Sequence, residues 1–272
     1  MQRVSRDQFI TTFSRDHPPV LEVDPGAELL VETHDCYGGY SRDERPPGLG
    51  NPATGPIAIR GARPGQVLEV DILDIVPGPR GFVGAEGVTK YIELVDGRAR
   101  FSEGLTLPLQ PMVGVIGVAP ADGAPPCTYP GDHGGNLDTI DVCAGATVCL
   151  PVQVEGALLA LGDVHACQGD GEVSGQGIEV AAEVTLGVRL GEVPLSRRPY
   201  ILRDGRLLTI ASGATLEEAV QASVEDMVAV LGAQLGLPGP EARMLVSLAG
   251  HVRISQIVNP LLTARVEMPV LW

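Results

Sequence analysis

Residues 178–190 read Ile178-Glu179-Val180-Ala181-Ala182-Glu183-Val184-Thr185-Leu186-Gly187-Val188-Arg189-Leu190. Every even position is apolar, while Glu179, Glu183, Thr185 and Arg189 fall between them. A period of two marks a strand with one buried face; a helix would scatter the same residues around its axis. The chain therefore reads first as a β protein. The same signal recurs upstream. Residues 18–33 hold two short extended runs around an Asp24-Pro25-Gly26 turn. Residues 57–75 repeat the phrase, with Arg63-Pro64-Gly65 as the turn before Val67-Leu68-Glu69-Val70-Asp71-Ile72. A related phrase runs from Ala144 to Val152. Downstream, Asp204-Gly205 sits between Tyr200-Ile201-Leu202 and Leu207-Leu208-Thr209-Ile210, the pattern of a tight hairpin.

Helical signals appear only after that point. Thr215 with Glu218 makes a capping box, followed at helical spacing by Leu216, Ala219, Val220, Val224, Met227, Val228 and Leu231. Gly236 and Pro238 end this helix. A second helix is expected from about Pro240 to Ala249, stopped by Gly250, and residues 252–258 read as a last strand. Residues 36–56, 77–90 and 120–138, rich in Gly, Pro or charge, read as long loops. The expected fold is mainly β, with a β-sandwich or barrel-like N-terminal and central part and a smaller α+β C-terminal part. The expected division is residues 1–190, a β-rich metal-binding catalytic region, and 191–272.

Composition narrows the function. The 272 residues carry a net charge of −15, which repels phosphate backbones and argues against nucleic-acid binding. Residues 1–10 carry Arg3, Arg6 and Asp7 and lack the apolar run of a secretory signal. No window approaches the roughly 18–20 apolar residues of a membrane helix. A cytoplasmic location follows as the expectation. The five cysteines are odd in number and irregular in spacing, with no CxxC, which argues against a disulfide framework or a zinc-thiolate site. No Walker loop, no GxGxxG after a strand and no Gly-x-Ser-x-Gly elbow is present.

Three polar stretches beside turns carry candidate chemistry: residues 32–39, which contain His34, Asp35 and Cys36; residues 130–138; and residues 162–172. In the third, Asp163 and His165 stand two apart at the end of an apolar run. In an extended chain they share a face, where a carboxylate and an imidazole can chelate a divalent ion. Gly169 and Gly171 allow tight bends, and Asp170 and Glu172 add carboxylates. In the second stretch, His133 precedes Gly134 and Gly135, whose amides could bind an oxyanion. Each signal alone has an ordinary explanation. His133 could be a solvated turn residue, Asp163 and His165 a structural ion pair, Asp35 a turn former, and the cysteines small buried hydrophobes.

Together these stretches resemble the acetamidase/formamidase family. The matching phrases are Asn51-Pro52-Ala53-Thr54-Gly55-Pro56-Ile57, Pro64-Gly65-Gln66-Val67-Leu68, Val115-Ile116-Gly117-Val118-Ala119-Pro120 and His133-Gly134-Gly135-Asn136-Leu137-Asp138. The longest runs from Gly162 through Asp163-Val164-His165-Ala166-Cys167-Gln168-Gly169-Asp170-Gly171-Glu172. Leu248 to Gln256 also looks like the family's ending. The resemblance implies a β-rich fold, a bound divalent metal and hydrolysis of short amides to a carboxylate and ammonia. After Gly38-Gly39 the chain departs from the family's Gln-containing stretch with Tyr40-Ser41-Arg42-Asp43.

On this basis Asp35, His133, Asp163 and His165 are expected to hold one or two divalent ions, with zinc suiting imidazole plus carboxylate. Glu172 is expected as general base, with Asp170 the nearest substitute. Asn136, Gln168 or the Gly134-Gly135 amides would hold the substrate amide and its oxyanion. The expected substrate is a small linear amide, handled by a homo-oligomer. The alternatives are hydrolysis of another C–N bond, cyclic amide or carbamoyl, and a non-catalytic metal-binding β protein. The metal reading requires His133, Asp163 and His165 to converge on one point.

Overall fold

The computed structural model describes residues 1–40 and 43–272. In chain order the strands are β1 (Gln2–Val4), β2 (Phe9–Ile10), β3 (Leu21–Val23), β4 (Glu28–Thr33), β5 (Ala53–Ile59), β6 (Val67–Pro77), β7 (Arg80–Ala85), β8 (Val88–Val95), β9 (Arg98–Ser102), β10 (Leu105–Pro108), β11 (Met112–Gly117), β12 (Pro130–Gly131), β13 (Gly134–Asn136), β14 (Thr147–Pro151), β15 (Leu159–His165), β16 (Glu179–Val180), β17 (Ala182–Gly191), β18 (Tyr200–Arg203) and β19 (Arg206–Gly213). Helices α1 (Leu216–Leu235) and α2 (Gly239–Ala249) follow, then β20 (His251–Gln256) and β21 (Leu262–Pro269). The protein is mainly β, as the alternation predicts.

The strands form two sheets. One runs β1-β4-β17-β6-β14-β18-β19-β21-β20. The other runs β10-β9-β8-β7-β16-β15-β11-β13-β12, with β5 pairing β15, β2 and β3. Leu29, Val31, Leu68 and Val184 of the first sheet and Ile57, Ile116 and Leu161 of the second share one buried apolar cluster. Non-directional burial of these inward rows joins the sheets face to face. Helices α1 and α2 cover the C-terminal end of the first sheet, where Met227, Leu231 and Val246 pack with Leu207, Val266 and Met268. Residues 191–272 continue the first sheet, because β14 pairs with β18.

The capping and turn chemistry operates as read. Thr215 Oγ1 accepts from the Glu218 amide at 3.2 Å, and Gly236 ends α1 in the left-handed region at φ 67°. Asp204 and Gly205, with φ 50° and 70°, close the β18–β19 hairpin, the two positive angles that a twisted two-residue turn needs.

Residues 77–90 are not a loop. β6 runs to Pro77, and Glu86-Gly87 closes a β7–β8 hairpin with φ 49° and 82°. The glycines there serve a two-residue turn rather than irregular chain. Parts of 36–56 and 120–138 are also strand, supplying the start of β5 and all of β12 and β13. The run 178–190 is not one strand either. It breaks at Ala181: Glu179 pairs with His165 and Phe82 in the second sheet, while Ala182 pairs with Thr33 and Pro77 in the first. The chain changes sheets there without losing its alternation. That switch carries Glu179 into the interior. Among the described residues no helix is long and apolar enough to cross a membrane.

Candidate active site

Strand β15 lies inside the second sheet with β5, β11 and β16 around it, and all seven of its residues are buried. Burying Asp163 and His165 there is costly unless partners satisfy them. The His165 Nε2 atom stands 3.2 Å from Glu179 Oε1 and 3.7 Å from Asp163 Oδ1. Two groups of ligand atoms meet at this imidazole. Those of Cys36, Asp163 and Glu179 lie within 4.8 Å of one another, and so do those of Asp138, His165 and Glu172.

The backbone bends unusually to bring them together. Asn51, Asp138, Asp163 and Glu172 all hold positive φ, between 42° and 53°. Left-handed backbone costs a non-glycine residue free energy, least for Asn and Asp, and such strain gathers at functional sites. At Asp163 the twist turns the carbonyl and carboxylate toward Gly114 of β11, where any side chain would collide with them.

Polar neighbours orient each group. Asn51 Nδ2 donates to Asp163 Oδ2 at 2.6 Å and to Asn136 Oδ1 at 3.2 Å. Asn259, in the turn after β20, donates to Asp138 Oδ2 at 2.6 Å and to the Asn136 carbonyl at 3.2 Å. Gln168 Nε2 donates to the Asp138 carbonyl at 2.8 Å, which leaves Gln168 Oε1, 2.7 Å from His165 Nδ1, as an acceptor. His165 must therefore donate from Nδ1, and Nε2 points its other valence into the cluster, the arrangement of a metal-ligating histidine.

The electrostatics are unbalanced. Asp138, Asp163, Glu172 and Glu179 are buried, and among the described residues no Lys or Arg is paired with any of them. Burial, then the negative charge of Asp138, pushes Glu172 up to about 10. Burial raises Glu179 to about 8 and Asp138 to about 6, each partly offset by His165. Burial opposes charging His165, yet the carboxylates of Glu179 and Asp163 outweigh it and raise the ring well above its ordinary value. Burial and the carboxylates also drive the Cys36 thiol upward.

Asp138 Oδ1, Asp163 Oδ1, His165 Nε2, Glu172 Oε2 and Glu179 Oε2 are buried without hydrogen-bond partners. Native proteins rarely leave such atoms orphaned. Several acidic oxygens, an imidazole and a thiol aimed inward without a cation fit a divalent ion, so these residues could hold a metal.

Above them opens a polar cleft of about 490 Å³, lined by Asn51, Asn136, Asp138, Asp163, Glu172 and Asn259, with Tyr37, Arg45, Gln176 and the β7–β8 turn toward its rim.

Not every expected residue arrives. Asp163, His165, Glu172 and Asn136 do. His133 does not belong to either ligand group, so the expected convergence of His133 with Asp163 and His165 does not form, and the metal reading rests instead on Cys36, Asp138, Glu172 and Glu179 gathered around Asp163 and His165. It sits in the β12–β13 turn with its ring edge on Phe13, centroids 5.1 Å apart, and burial lowers its pKa to about 4. Asp35 is also apart: its Oδ1 accepts from the Tyr37 and Gly39 amides at 2.9 and 3.0 Å, so it caps its own turn. Gln168 has both ends of its amide engaged, Oε1 at His165 Nδ1 and Nε2 on the Asp138 carbonyl, and does not line the cleft. Gly134 and Gly135 are inside β13, paired with β11 and β12, a strand position instead of an open turn. Asp170 is paired with the buried Arg265, its Oδ1 2.8 Å from Nη1. Ser41 and Arg42, in the departure after Gly39, lie outside the described residues.

Cys36, Asn51, Asp138, Glu179 and Asn259 complete the site without having been singled out as its members. Asp138 and Cys36 stand in the polar stretches, but neither residue type nor spacing distinguished them from their neighbours. Glu179 was masked by the alternation around it.

The whole chain superposes on the crystal structure of an acetamidase from Bacillus halodurans with a TM-score of 0.95 and 40% identity, over 98% of this chain and 97% of that one. The chain belongs to the acetamidase/formamidase family. The family model itself matches residues 118–200, the segment holding His133 through Glu179. An acetamidase from Yersinia enterocolitica superposes with a TM-score of 0.92 at 29% identity, covering 99% of this chain and 92% of that chain. The formamidase of Methylophilus methylotrophus is 26% identical over 64% of the chain, which spans 62% of that protein's length.

Proposed function

We propose that this member of the family hydrolyses the C–N bond of small linear amides of the formamide and acetamide type, giving a carboxylate and ammonia, with zinc as the bound ion. The observation that carries the reading is the convergence of Asp138, Asp163, Glu172 and Glu179, with orphaned oxygens, at the floor of the polar cleft, with His165 buried beside them. The acetamidases it superposes on support the choice of amides.

Cys36, Asp163 and Glu179, with His165 beside them, are the residues we assign to the ion; a set of sulfur, nitrogen and oxygen donors suits zinc. When bound, such an ion supplies Lewis acidity, a water that ionises near pH 7, and the positive charge that lets Glu172 ionise at neutral pH. The protein does the rest. Asn51 fixes one oxygen of Asp163 and leaves the other facing the cluster. Gln168 holds the His165 ring in its tautomer, and Asn259 holds Asp138. Glu172, against Asp138 and open to the cleft, takes the proton of the attacking water and returns it to the departing nitrogen. Asn136, on the cleft wall, is placed to hold the amide as its C–N bond breaks and the new C–O bond forms. A cytoplasmic location and a homo-oligomeric state belong to the same proposal.

The test is ammonia release from formamide and acetamide by the purified protein, before chelation, after it, and after zinc is restored. Release that stops with chelation and returns with zinc is the expected result. Bound metal with no release from either amide would leave a metal-binding β protein in its place.

A further inference from the structure

The proposed substrates are far smaller than the space above the site. A cleft of about 490 Å³ holds on the order of 16 waters at about 30 Å³ each, and falls in the range that encloses drug-sized ligands. Formamide and acetamide have three and four heavy atoms. The cleft therefore has room for a substrate larger than either. Its upper walls, Thr128, Ser174, Gln176 and Arg45, are polar and do not suit an alkyl tail.

Arg45 is the one basic residue that lines the cleft among the described residues. No carboxylate among them pairs with it. Its Cζ lies over the Tyr37 ring, 5.0 Å from the centroid. That ring is itself fixed. It stacks on Phe82, with centroids 5.3 Å apart and planes 20° from parallel, and its hydroxyl accepts from Gln176 Nε2 at 3.1 Å. The contact with Tyr37 positions the guanidinium, the group with which arginine binds a carboxylate through two parallel hydrogen bonds.

We infer that the preferred substrates are primary amides whose acyl chain ends in a carboxylate, with the amide at the Asp163–His165 floor and the carboxylate on Arg45. This rests on the amide-hydrolase reading above and names its substrate class. For such a compound water adds to the amide carbon, the C–N bond breaks, and the products are a dicarboxylate and ammonium. Among the described residues the other charged group toward the rim is Glu86, at the β7–β8 turn, which would favour a cationic tail instead.

The probes are succinamate, its neutral isostere 4-oxopentanamide, the cationic 4-aminobutanamide, and acetamide, each assayed with wild type and Arg45→Gln. A charge-assisted hydrogen bond at a partly solvated site is worth about tenfold in binding. Succinamate should exceed 4-oxopentanamide about tenfold in kcat/KM, mostly through KM, and the ratio should fall to about one in Arg45→Gln. Acetamide turnover by the same variant shows that it is folded. Equal rates for the charged and neutral isosteres, a preference for 4-aminobutanamide, or a succinamate preference that survives the substitution would each overturn the inference while leaving amide hydrolysis standing. No ammonia from any of the four amides would overturn the underlying reading instead.

Discussion

One methyl group should separate the two carboxylates that the site brings together. Gly114 lies in β11 with an ordinary negative-φ backbone, so alanine is conformationally acceptable there. Its Cβ would nonetheless stand 2.5 Å from Asp138 Oδ1, 2.8 Å from the Asp163 carbonyl oxygen and 3.2 Å from Asp163 Oδ2. Ordinary contact begins near 3.4 Å, so Asp138 Oδ1 must retreat by about 0.9 Å, and Asp163 must shift with its backbone. Metal ligands tolerate about 0.2 Å of misplacement, and disturbing the groups that orient them typically costs about 10–100-fold in affinity. The overpacking adds about 1–3 kcal/mol of destabilisation. We expect Gly114→Ala to bind zinc at least tenfold more weakly in competition with a chromophoric chelator and to lose turnover in proportion. Gly187→Ala is the control: it is also a strand glycine, but its Cβ would meet nothing closer than 3.8 Å, so zinc binding should not change. If Gly114→Ala folds and binds zinc as tightly as wild type, Asp163 is not a ligand of the ion.

Other outcomes follow from the same geometry. Asn259→Asp places a carboxylate against Asp138 Oδ2 where a donor stood at 2.6 Å; kcat/KM should fall by about 10–100-fold, and unchanged kinetics would remove Asn259 from the positioning set. Glu172→Gln should keep its metal by elemental analysis and lose about 10²–10⁴ in kcat, whereas near-full turnover would show that another group moves the proton. The metal-free protein should lose stability as pH rises from 6.5 to 8. Glu172 and Glu179, raised to about 10 and about 8, keep protons in the folded state that the unfolded chain has already released, and His165 acts in the same direction. Each such unmatched proton makes stability fall by about 1.4 kcal/mol per pH unit. His133, lowered to about 4, and His34, also lowered by burial, oppose this, but their effect fades as pH rises through their ordinary value of 6.5 and is small by about pH 7.5. Thermal melts of chelator-treated protein measure it, and a melting temperature that is flat or rises over this interval would contradict the buried-carboxylate account.

The sequence announced its local rules faithfully. Alternation over residues 178–190, the Asp204-Gly205 turn and the Thr215 cap each report short-range chemistry; the turn and the cap appear where read, while the alternation is divided between β16 and β17. What it hid is set by longer-range pairing. Nothing in Ile178-Glu179-Val180 distinguishes a solvent-facing glutamate from one carried inward, because the switch of sheets at Ala181 preserves the period of two. Of the candidate site, the 162–172 stretch was legible because acids, an imidazole and glycines crowd a short run. His133 looked equally suitable, yet the register of β13 on β11 places Asn136 on the cleft and leaves the His133 ring on Phe13. Asp35 and Cys36 are neighbours, but the Asp35 carboxylate is consumed by its own turn while the thiol joins Asp163 and Glu179. Asn259 stands 123 residues from Asn136, whose carbonyl it holds, a distance at which only the folded sheet reveals contact.

Anomalous scattering from zinc-loaded crystals, collected on both sides of the zinc edge, tests the central claim most directly. The account predicts a peak at about 2.0–2.3 Å from the ligand atoms of Asp163, Glu179 and Cys36, beside His165 Nε2. A peak on His133, or none at all in a preparation that still releases ammonia from amides, would contradict it.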